Sequence, residues 1–405
     1  MAVLNAPRAV MPSRCVLALN SGSSSVKFAV FPIGASDPIL KGKAERIGLD
    51  GGLFQAVDAA GTQVAHEQQS LPDHASALRR VLQCARGIAT HALVAVGHRV
   101  VRGGPEDRDP QPVTDALLRR IRELIPYLPE HLPHQLAAIG AVERVDPSLA
   151  QVVCFDTAFH RTMPRVAQLY ALPRELLNEG VLRYGFHGLS YEYVMGEFAR
   201  LAGERAASGR VVIAHLGNGC SMTAIREGCS VDTTMGFTPT GGLLMSSRSG
   251  DLDPGVVVYL LQQKRVSVAA LSDILNRRSG LAGVSGGSPD MRDLLAREAT
   301  DPHAAEAVEL FCYQARKFLG ALAAVLGGLD ALIFTAGIGE NTPEIRRRIC
   351  EGMDHLGLSL DQRANDANAP LISSNEAPVP IRVIPTNEEL MIARHTASVI
   401  CKTSR

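Results

Sequence analysis

A turn of small polar residues near the start of the sequence has a composition suited to binding an anion. Residues 20–25 read Asn-Ser-Gly-Ser-Ser-Ser, lie between the apolar runs 15–19 and 26–31, and are followed by Lys27. Small residues allow backbone N–H groups to converge on an anion, and serine hydroxyls add further donors. The spacing G-x-x-x-x-G-K-[ST] of a Walker A loop is absent. The segment is therefore either a phosphate-binding turn or a tight hairpin with polar side chains.

Two glycine turns are candidates for binding a nucleotide. The turn at 217–219 follows the apolar run 211–215, and the turn at 337–339 follows the apolar run 331–335. Both lack the third glycine of a dinucleotide-binding fingerprint, so a Rossmann domain is not indicated. Residues 342–344, Thr-Pro-Glu, are typical of a helix start, and a glycine turn that leads into a helix is a natural anion site. A plain strand-to-helix connection has the same pattern.

Charged and imidazole side chains also occur next to apolar runs or glycines. Arg99 and Arg102 follow the apolar run 93–96, and an arginine at the end of a buried strand needs an anionic partner, which either a structural carboxylate or a ligand could supply. His187 is preceded and followed by glycines that allow a ligand to approach closely. The histidines show no H-E-x-x-H spacing, so a zinc-protease site is not indicated.

A strand followed by acidic residues lies near the end of the sequence. After the apolar run 381–384, Thr386 and Glu389 have the spacing of a helix capping box. The capping box does not use Glu388, whose side chain would then point out from the helix start. It is either a ligand-binding carboxylate or a first-turn acid that favours the helix dipole.

Composition limits the class of protein. The 405 residues suggest roughly two to three domains, and with 46% hydrophobic and 20% charged residues they are typical of a globular chain rather than a collagenous or disordered one. Lys plus Arg and Asp plus Glu both number 41, which argues against a protein that coats a polyanion, and no nucleic-acid partner is expected. No C-x-x-C pair, long apolar segment or secretory signal occurs, which favours a reducing, cytoplasmic location away from membranes.

The elements that position these residues alternate between strands and helices. The runs around 20–25 and 217–219 predict two similar hairpins half a chain apart, which suggests duplicated halves. Apolar residues at helical steps predict a helix over 304–329, bounded by Asp301-Pro302 and two glycines. Its predicted buried stripe is Val308, Phe311, Ala315, Phe318, Leu322, Val325 and Leu329. Residues 232–255 lack periodicity, and irregular loops of that length are usually either functional or disordered. The position of this one between well-patterned segments favours a functional loop. The predicted class is α/β.

Taken together, these segments resemble the acetate kinase family of the acetokinase group, from about residue 15 to residue 394. The motifs that carry the resemblance are 19–27 (LNSGSSSVK), 97–101 (GHRVV), 155–160 (FDTAFH), 183–188 (RYGFHG), 215–219 (HLGNG), 248–254 (RSGDLDP), 334–341 (FTAGIGEN) and 386–389 (TNEE). Each motif alone is weak, but the ordered set is specific.

The resemblance implies two related actin-like, sugar-kinase-like (ASKHA) α/β domains around an interdomain nucleotide cleft. We expect a flexible extension over 1–14, an N-terminal domain made of 15–155 plus 386–405, and a C-terminal domain over 156–385. It also implies a homodimer formed through the second domain.

The resemblance further implies roles for individual residues. The matches to the magnesium site are Asn20 and Glu388. The matches to the catalytic groups are Arg99, Asp156, His187 and Arg248. The substrate pocket is matched by Arg99, Val101, His131, Phe186 and Pro239. The ATP-binding positions are Ser23, Ser25, Lys27, His215, Leu216, Gly217, Asn218, Gly219, Asp290, Met291, Arg292, Gly337, Ile338, Gly339, Glu340 and Asn341.

The implied reaction is reversible transfer of the ATP γ-phosphoryl group to acetate, with Mg²⁺, or Mn²⁺ as an alternative, as the metal. Phosphoryl transfer depends mainly on positioning and charge neutralisation, and Asp156 would orient groups rather than act as a base because acetate is already ionised. Two departures from the family pattern stand out. Glu130 replaces a leucine near the acyl pocket, and Ser246-Ser247 replaces Gly-Thr before Arg248. These leave open a preference for propionate, because one methylene changes binding by only about 1–3 kcal/mol.

Two readings from a different class remain. An actin-like ATPase module would hydrolyse ATP without needing an acid, and an inactive relative would only bind its ligands. The presence of Arg99, Asp156, His187 and Arg248 favours the kinase.

Overall fold

The computed structural model describes residues 13–87 and 91–403, and the chain divides into two compact units. Unit 1 combines the described residues up to Asp156 with those from Glu388 onwards, and unit 2 is Thr157–Asn387. The predicted borders were 155/156 and 385/386. The first strand begins at Ser13, so residues 13 and 14 belong to the sheet rather than to the expected extension, whose first twelve residues lie outside the described part.

Unit 1 is built on a mixed sheet. Its strands are β1 (Ser13–Ser21), β2 (Ser25–Pro32), β3 (Leu40–Glu45), β4 (Leu53–Asp58), β5 (Gln63–Gln68), β6 (His91–Val100), β7 (Gln111–Pro112) and β8 (Ala150–Phe155). Its helices are α1 (His74–Arg86), α2 (Asp115–Glu123), α3 (Leu132–Val145) and α16 (Glu388–Thr403), with a 3₁₀ turn at Ile125–Tyr127.

The sheet of unit 1 has the order β5-β4-β3-β2-β1-β6-β8-β7. The strands β1 to β5 form an antiparallel meander, whereas β6 runs parallel to β1 and β8 parallel to β6. Side chains alternate along β1, so that Leu17 and Leu19 pack in the core beneath α1 and α3. On the other face α16 packs against β1, β6 and β8. The central strands are thus covered on both faces, which accounts for their mainly apolar composition.

Unit 2 has a smaller sheet and more helices. Its strands are β9 (Arg210–Leu216), β10 (Cys220–Arg226), β11 (Cys229–Thr233), β12 (Ala331–Thr335) and β13 (Ile381–Val383). Its helices are α4 (Arg165–Gln168), α5 (Arg174–Asn178), α6 (Gly188–Ala202), α7 (Glu204–Ala207), α8 (Pro254–Gln262), α9 (Val268–Arg277), α10 (Gly280–Ser285), α11 (Met291–Arg297), α12 (Pro302–Leu326), α13 (Ala336–Asn341), α14 (Pro343–Cys350) and α15 (Gln362–Asp366), with 3₁₀ turns at Ala158–Thr162 and Asp354–Leu356.

The two sheets share one strand order. In unit 2 the order is β11-β10-β9-β12-β13, with β9 to β11 antiparallel and β12 and β13 parallel to β9. The central part of unit 1, β3-β2-β1-β6-β8, has the same order and the same directions. The predicted hairpins β1–β2 and β9–β10 occupy equivalent positions, which confirms that the halves repeat one design.

The long helix of unit 2, α12, buries most but not all residues of the predicted stripe. Asp301 caps α12 by accepting from the backbone N–H groups of His303 and Ala304, and Gly327 ends the helix with φ 74°. The buried stripe runs through Leu319 and Leu326, whereas Phe318 is half-buried and Val325 is 48% exposed. The predicted stripe was therefore wrong at Phe318 and Val325, and it is confirmed at its other five positions, Val308, Phe311, Ala315, Leu322 and Leu329. Phe318 and Val325 lie one position off the buried face of a helix with 3.6 residues per turn.

The predicted functional loop at 232–255 is shorter in the structure. Its first two residues belong to β11 and its last two begin α8, which leaves 234–253 as irregular chain.

Within the described residues, no helix combines the length and apolar character needed to cross a bilayer.

Candidate active site

Three predicted residues of unit 1 meet at the carboxyl ends of parallel strands. Asn20 lies near the end of β1, Arg99 near the end of β6, and Asp156 directly after β8. The carboxyl ends of parallel strands share one edge of a sheet, so these side chains come together. Arg99 Nη2 donates to Asp156 Oδ2 at 2.6 Å, and Arg99 Nη1 donates to Asn20 Oδ1 at 3.2 Å. The carboxylate that anchors Arg99 is fully buried.

The predicted metal ligand Glu388 joins the same cluster from the first residue of α16. Its Oε2 accepts from Asn20 Nδ2 at 3.1 Å and lies 3.8 Å from Arg99 Nε. Burial opposes the charge of the guanidinium, but Asp156 and Glu388 outweigh it and raise the pKa of Arg99 above its ordinary value. Arg99 is therefore a permanent cation held between two carboxylates.

Glu389 adds a third acid near Arg99, and the sequence suggested it only as part of a helix cap. Burial and the neighbouring Glu388 raise its pKa, against the opposing effects of Lys27 and Arg99. The expected capping box does not form, because α16 begins at Glu388 and the hydroxyl of Thr386 donates to Ser190 Oγ at 2.7 Å instead.

The predicted phosphate-binding turn is the tip of the β1–β2 hairpin. Gly22 N donates to Ser25 O at 2.8 Å and closes the turn. The carbonyl of Gly22 is 2.8 Å from Nε2 of His74, a buried imidazole that sequence reasoning did not single out. Ser23 and Lys27 are exposed, so both are available to a ligand.

The predicted acyl-pocket residues of unit 1 lie beside α3. Val101 is buried, and its backbone N–H donates to Gln135 Oε1 at 3.0 Å. His131 immediately precedes α3. Burial, together with His74, lowers the pKa of His134 despite the opposing effect of Glu130. The unusual carboxylate of Glu130 therefore acts electrostatically on His134, one turn further along.

The central imidazole of unit 2 has an unusual backbone. His187 precedes α6 with φ 60° and ψ 26°, a left-handed backbone conformation that residues other than glycine rarely adopt. Its ring stacks on His215, with centroids 4.1 Å apart and planes 20° apart. Strain of this kind persists only where the surroundings hold it.

A chain of hydroxyl groups reaches Nδ1 of His215. Thr386 Oγ1 donates to Ser190 Oγ at 2.7 Å, and Ser190 Oγ is 2.8 Å from His215 Nδ1. A hydroxyl group that accepts from Thr386 still has its own proton to donate to Nδ1, and in that arrangement the neutral ring of His215 carries its proton on Nε2. Neither Ser190 nor this role of Thr386 was predicted.

Gly219 is the point where His187 and Arg248 meet. A Cβ atom at this position would lie 3.0 Å from His187 Nε2 and 3.5 Å from Arg248 Nη1. Arg248 Nη1 also donates to the carbonyl of Pro239 at 3.1 Å. The absence of a side chain at Gly219 thus keeps space open in front of two potential donors.

The loop that carries Arg248 is held by neighbouring backbone. Met245 N donates to Arg248 O at 3.1 Å, and Leu281 N donates to Met245 O at 2.9 Å. Ser247, one of the departures from the family pattern, donates from Oγ to Asn276 O at 3.0 Å. Threonine, the residue of the family pattern at this position, carries the same hydroxyl group, so this replacement keeps a donor that anchors the loop.

A cavity of about 660 Å³ opens in unit 2 beside these groups. Its lining includes nine of the predicted nucleotide contacts: Gly217, Asn218, Gly219, Asp290, Met291, Arg292, Gly337, Ile338 and Asn341. The lining residues that were not predicted as nucleotide contacts are Ser246, Ser247, Arg248, Pro289 and Thr342. A space of this size, with glycine backbone, hydroxyls and two arginines, suits a nucleotide.

Four predicted nucleotide contacts of unit 2 do not line the cavity: His215, Leu216, Gly339 and Glu340. The Oε1 of Glu340 accepts from Ala336 N at 2.7 Å and from Thr386 N at 3.0 Å. Ala336 has φ 65°, so the carboxylate holds a strained residue at the start of the glycine turn. Glu340 therefore holds the glycine turn in place without lining the cavity.

Phe186 and Pro239, the predicted pocket residues of unit 2, are both buried. The carbonyl of Phe186 is 2.9 Å from Nε2 of His160, whose Nδ1 is 2.9 Å from Ser230 Oγ. His160 belongs to a motif that carried the resemblance, but no functional role was predicted for it.

Comparison with known proteins gives consistent matches along the chain. The model of the Acetokinase family matches residues 15–394. An acetate kinase of Methylocella silvestris is 48% identical over 401 residues, covering 96% of this chain and 98% of that protein. An acetate kinase of Clostridium beijerinckii is 41% identical over 399 residues, with 95% and 99% coverage.

Solved structures show the same similarity. The acetate kinase of Porphyromonas gingivalis superposes with a TM-score of 0.86 at 35% identity, covering 96% of this chain and 100% of that one. A propionate kinase of Francisella tularensis superposes with a TM-score of 0.89 at 36% identity, with 95% and 100% coverage.

Proposed function

The chain belongs to the acetokinase family, and from that premise we propose that it transfers the γ-phosphoryl group of ATP reversibly to acetate, giving acetyl phosphate and ADP. The predicted actin-like, sugar-kinase-like α/β class with two related units is confirmed. The enzyme is a kinase whose acceptor is a carboxylate.

The observation that carries the proposal is the convergence of His187 Nε2 and Arg248 Nη1 over Gly219. Both Gly219 and Arg248 line the cavity suited to a nucleotide. Phosphoryl transfer develops charge on equatorial oxygens, and fixed donors that point to that position lower the barrier. A guanidinium and an imidazole side by side provide such donors.

Arg99 supplies positive charge in unit 1. Its two carboxylate neighbours keep it ionised, and Asp156 fixes the guanidinium with a 2.6 Å hydrogen bond. A fixed guanidinium binds a carboxylate or a phosphoryl oxygen with defined geometry. Asp156 acts as a positioning group, because acetate is already ionised at neutral pH and needs no base.

Asn20 and Glu388 are the proposed protein ligands of Mg²⁺, with Mn²⁺ as an alternative. An amide oxygen and a carboxylate are hard ligands of the kind Mg²⁺ prefers, and Mg²⁺ at phosphate sites uses few protein ligands. When bound, the metal would neutralise charge on the phosphates. The two side chains already lie within 3.1 Å of one another.

The glycine turns and Asp290–Arg292 are the proposed nucleotide-binding groups of unit 2. Arg292 donates to Asp290 Oδ2 at 2.6 Å, and Asp290 caps α11. Ser23, Ser25 and Lys27 are the proposed phosphate-binding groups of unit 1. Val101 and His131 in unit 1, and Phe186 and Pro239 in unit 2, are the proposed contacts of the acyl group.

Propionate is a second candidate acceptor, and the similarity to a propionate kinase favours its inclusion. The distinction between the two acids rests on one methylene, so both are expected to react at different rates. Glu130 affects the choice between acetate and propionate, because its negative charge lies at a position that the family pattern places near the acyl pocket.

We also propose that the protein is a homodimer that forms through unit 2. Helix α8 is rich in valine and leucine, yet none of its nine residues is buried. Val258 and Tyr259 are 48% and 47% exposed. An exposed apolar helix on a folded unit typically marks an interface.

A cytoplasmic location is proposed because the eight cysteines are free thiols, which persist in a reducing compartment.

Initial rates with MgATP and acetate, propionate, butyrate or no acid test the function directly, with hydroxylamine present to trap acyl phosphate. We expect acid-dependent acyl hydroxamate, with acetate or propionate preferred. ADP release without hydroxamate would instead identify an ATPase module. Absence of both products would identify a relative that only binds its ligands.

A further inference from the structure

A fully buried imidazole lies directly behind the strained backbone of His187. His160 is 0% exposed, and its ring packs edge-on against Phe159 and Tyr191. Its Nε2 is 2.9 Å from the carbonyl oxygen of Phe186, the residue just before His187. Its Nδ1 is 2.9 Å from Ser230 Oγ in β11. The ring thus connects a strand of unit 2 to the segment that presents His187.

The partners of His160 determine where its proton lies. A carbonyl oxygen can only accept, so the contact with Phe186 requires a proton on Nε2. In the neutral ring Nδ1 is then an acceptor, and the hydroxyl of Ser230 must donate to it. Ser230 is itself 1% exposed, so this arrangement is shielded from exchange with water.

The backbone around Phe186 is shaped by the same ring. Gly185 has φ 73°, and a Cβ atom there would lie 2.5 Å from the His160 ring. His187 follows with φ 60°. Two left-handed residues in three make a strained backbone, which persists only where partners hold it in place. His160 Nε2 is such a partner, at hydrogen-bonding distance.

We propose that His160 is a positioning residue, which donates from Nε2 to the Phe186 carbonyl and thereby holds His187 in the orientation needed for phosphoryl transfer. The inference rests on the proposed kinase function, in which His187 contacts the transferring group. A misplacement of about 1 Å at such a group can cost roughly 100-fold in rate. His160 does not line the cavity of unit 2, so it acts through the segment of Phe186 and His187 that it holds.

The test compares His160→Gln with His160→Asn in the full-length protein. The amide nitrogen of glutamine reaches the position of Nε2, whereas that of asparagine reaches the position of Nδ1. Glutamine should therefore keep the donor to Phe186 and most of the wild-type kcat. Asparagine should lower kcat by about 10- to 100-fold, with the KM for ATP nearly unchanged. Equal loss of kcat in the two variants would show that the ring only fills space, and would overturn the proposal.

The tautomer itself is a second readout that does not depend on either variant folding. In wild-type protein with ¹⁵N-labelled histidine, NMR should show the proton of His160 on Nε2, and Ser230→Ala should weaken that signature. A proton on Nδ1 in the wild type would overturn the proposal.

Two comparisons isolate the cause of these effects. Thr223→Val serves as a control, because it removes a buried hydroxyl that lies 2.9 Å from Thr233 Oγ1 on the neighbouring strand, and it should leave kcat unchanged. Wild-type protein that forms no acyl phosphate would reject the kinase function rather than this inference.

Discussion

The imidazole rings of His187 and His215 lie face to face in unit 2, with centroids 4.1 Å apart. Both rings direct Nε2 towards the same turn, since a Cβ atom at Gly219 would lie 3.0 Å from His187 Nε2 and one at Gly217 would lie 3.8 Å from His215 Nε2. The stacking contact between the two rings therefore fixes the direction of both Nε2 atoms. Any change that rotates His215 also disturbs His187.

Thr386→Val should change the tautomer of His215. Valine has the shape of threonine but no hydroxyl, so Ser190 loses the donor that directs its proton to Nδ1. The population with the proton on Nε2 should fall, and kcat should fall by about 3- to 10-fold because one buried hydrogen bond contributes roughly 1 kcal/mol. Thr386→Ser keeps the hydroxyl and is the matched control. NMR of ¹⁵N-labelled histidine measures the tautomer, and an unchanged spectrum in the valine variant would reject the hydroxyl chain as its cause.

Gly219→Ala should lower kcat because the new methyl group enters the space in front of His187 and Arg248. At 3.0 Å from His187 Nε2, the methyl carbon forces the ring or the turn to move, and we expect a loss of about 10- to 100-fold. Gly196→Ala in α6 is the control, since a Cβ atom there meets nothing within 4 Å. Steady-state rates and thermal unfolding of both variants separate an effect on the site from an effect on the fold. A Gly219→Ala enzyme with wild-type kcat would contradict this geometry.

Arg248→Ala should lower kcat by roughly 100-fold or more, as the loss of a donor to a transition state commonly does. Arg248→Lys should be intermediate, because lysine keeps the charge but loses the planar fork. Acyl hydroxamate formation measures both. Turnover near that of the wild type in the alanine variant would remove Arg248 from the proposed chemistry.

Lowering the pH should destabilise unit 2 through Glu344. This carboxylate accepts from Arg347 and Arg348, which hold its pKa at about 2 instead of the ordinary 4.5. A depressed pKa stabilises the folded state above pH 4.5, and the contribution is lost as the pH falls towards 2. The urea midpoint measured by circular dichroism should therefore drop less between pH 6 and pH 3.5 in Glu344→Gln than in the wild type. Glu306→Gln, on the exposed face of α12, should retain the full drop. Identical curves for wild type and Glu344→Gln would refute this source of acid sensitivity.

Tyr259→Glu should convert the proposed dimer into monomers. Tyr259 lies on the exposed face of α8, and a buried carboxylate without a partner is costly at an interface. Light scattering coupled to size-exclusion chromatography measures the mass in solution. Val166→Glu, which is also exposed but lies outside α8, should leave the assembly intact. A wild-type protein of monomeric mass would reject the dimer, and dissociation by both variants would reject α8 as its surface.

The sequence predicted the elements with strong local patterns. The hairpins at β1–β2 and β9–β10, the buried strand β12 and the helix α12 all have apolar runs bounded by small or turn-forming residues. The error at Phe318 and Val325 arose because steps of three and four can be combined in several ways over a long helix. The strands β3 to β5 were missed because their polar and apolar residues alternate only partly.

The site residues that carry family motifs were predictable, whereas their supporting contacts were not. Arg99 was predicted at the end of a strand with an anionic partner, and the structure joins it to Asp156 by a hydrogen bond. The contact of Ser190 with Thr386 spans 196 positions and has no local signal. His160 was not distinguishable from other isolated histidines, because its role depends on a carbonyl that only the folded chain brings near.

The division of unit 1 between two distant parts of the chain constrains how the protein is synthesised. The ribosome completes the strands β1 to β8 early, but α16, which covers β1, β6 and β8, follows only after all of unit 2. Unit 2 is continuous, so it can reach its native state on the nascent chain while the first sheet still exposes an apolar face. The cluster of Asn20, Arg99, Asp156 and Glu388 is therefore assembled last, and an unfinished chain would already contain the cavity of unit 2 while lacking Glu388 beside Arg99.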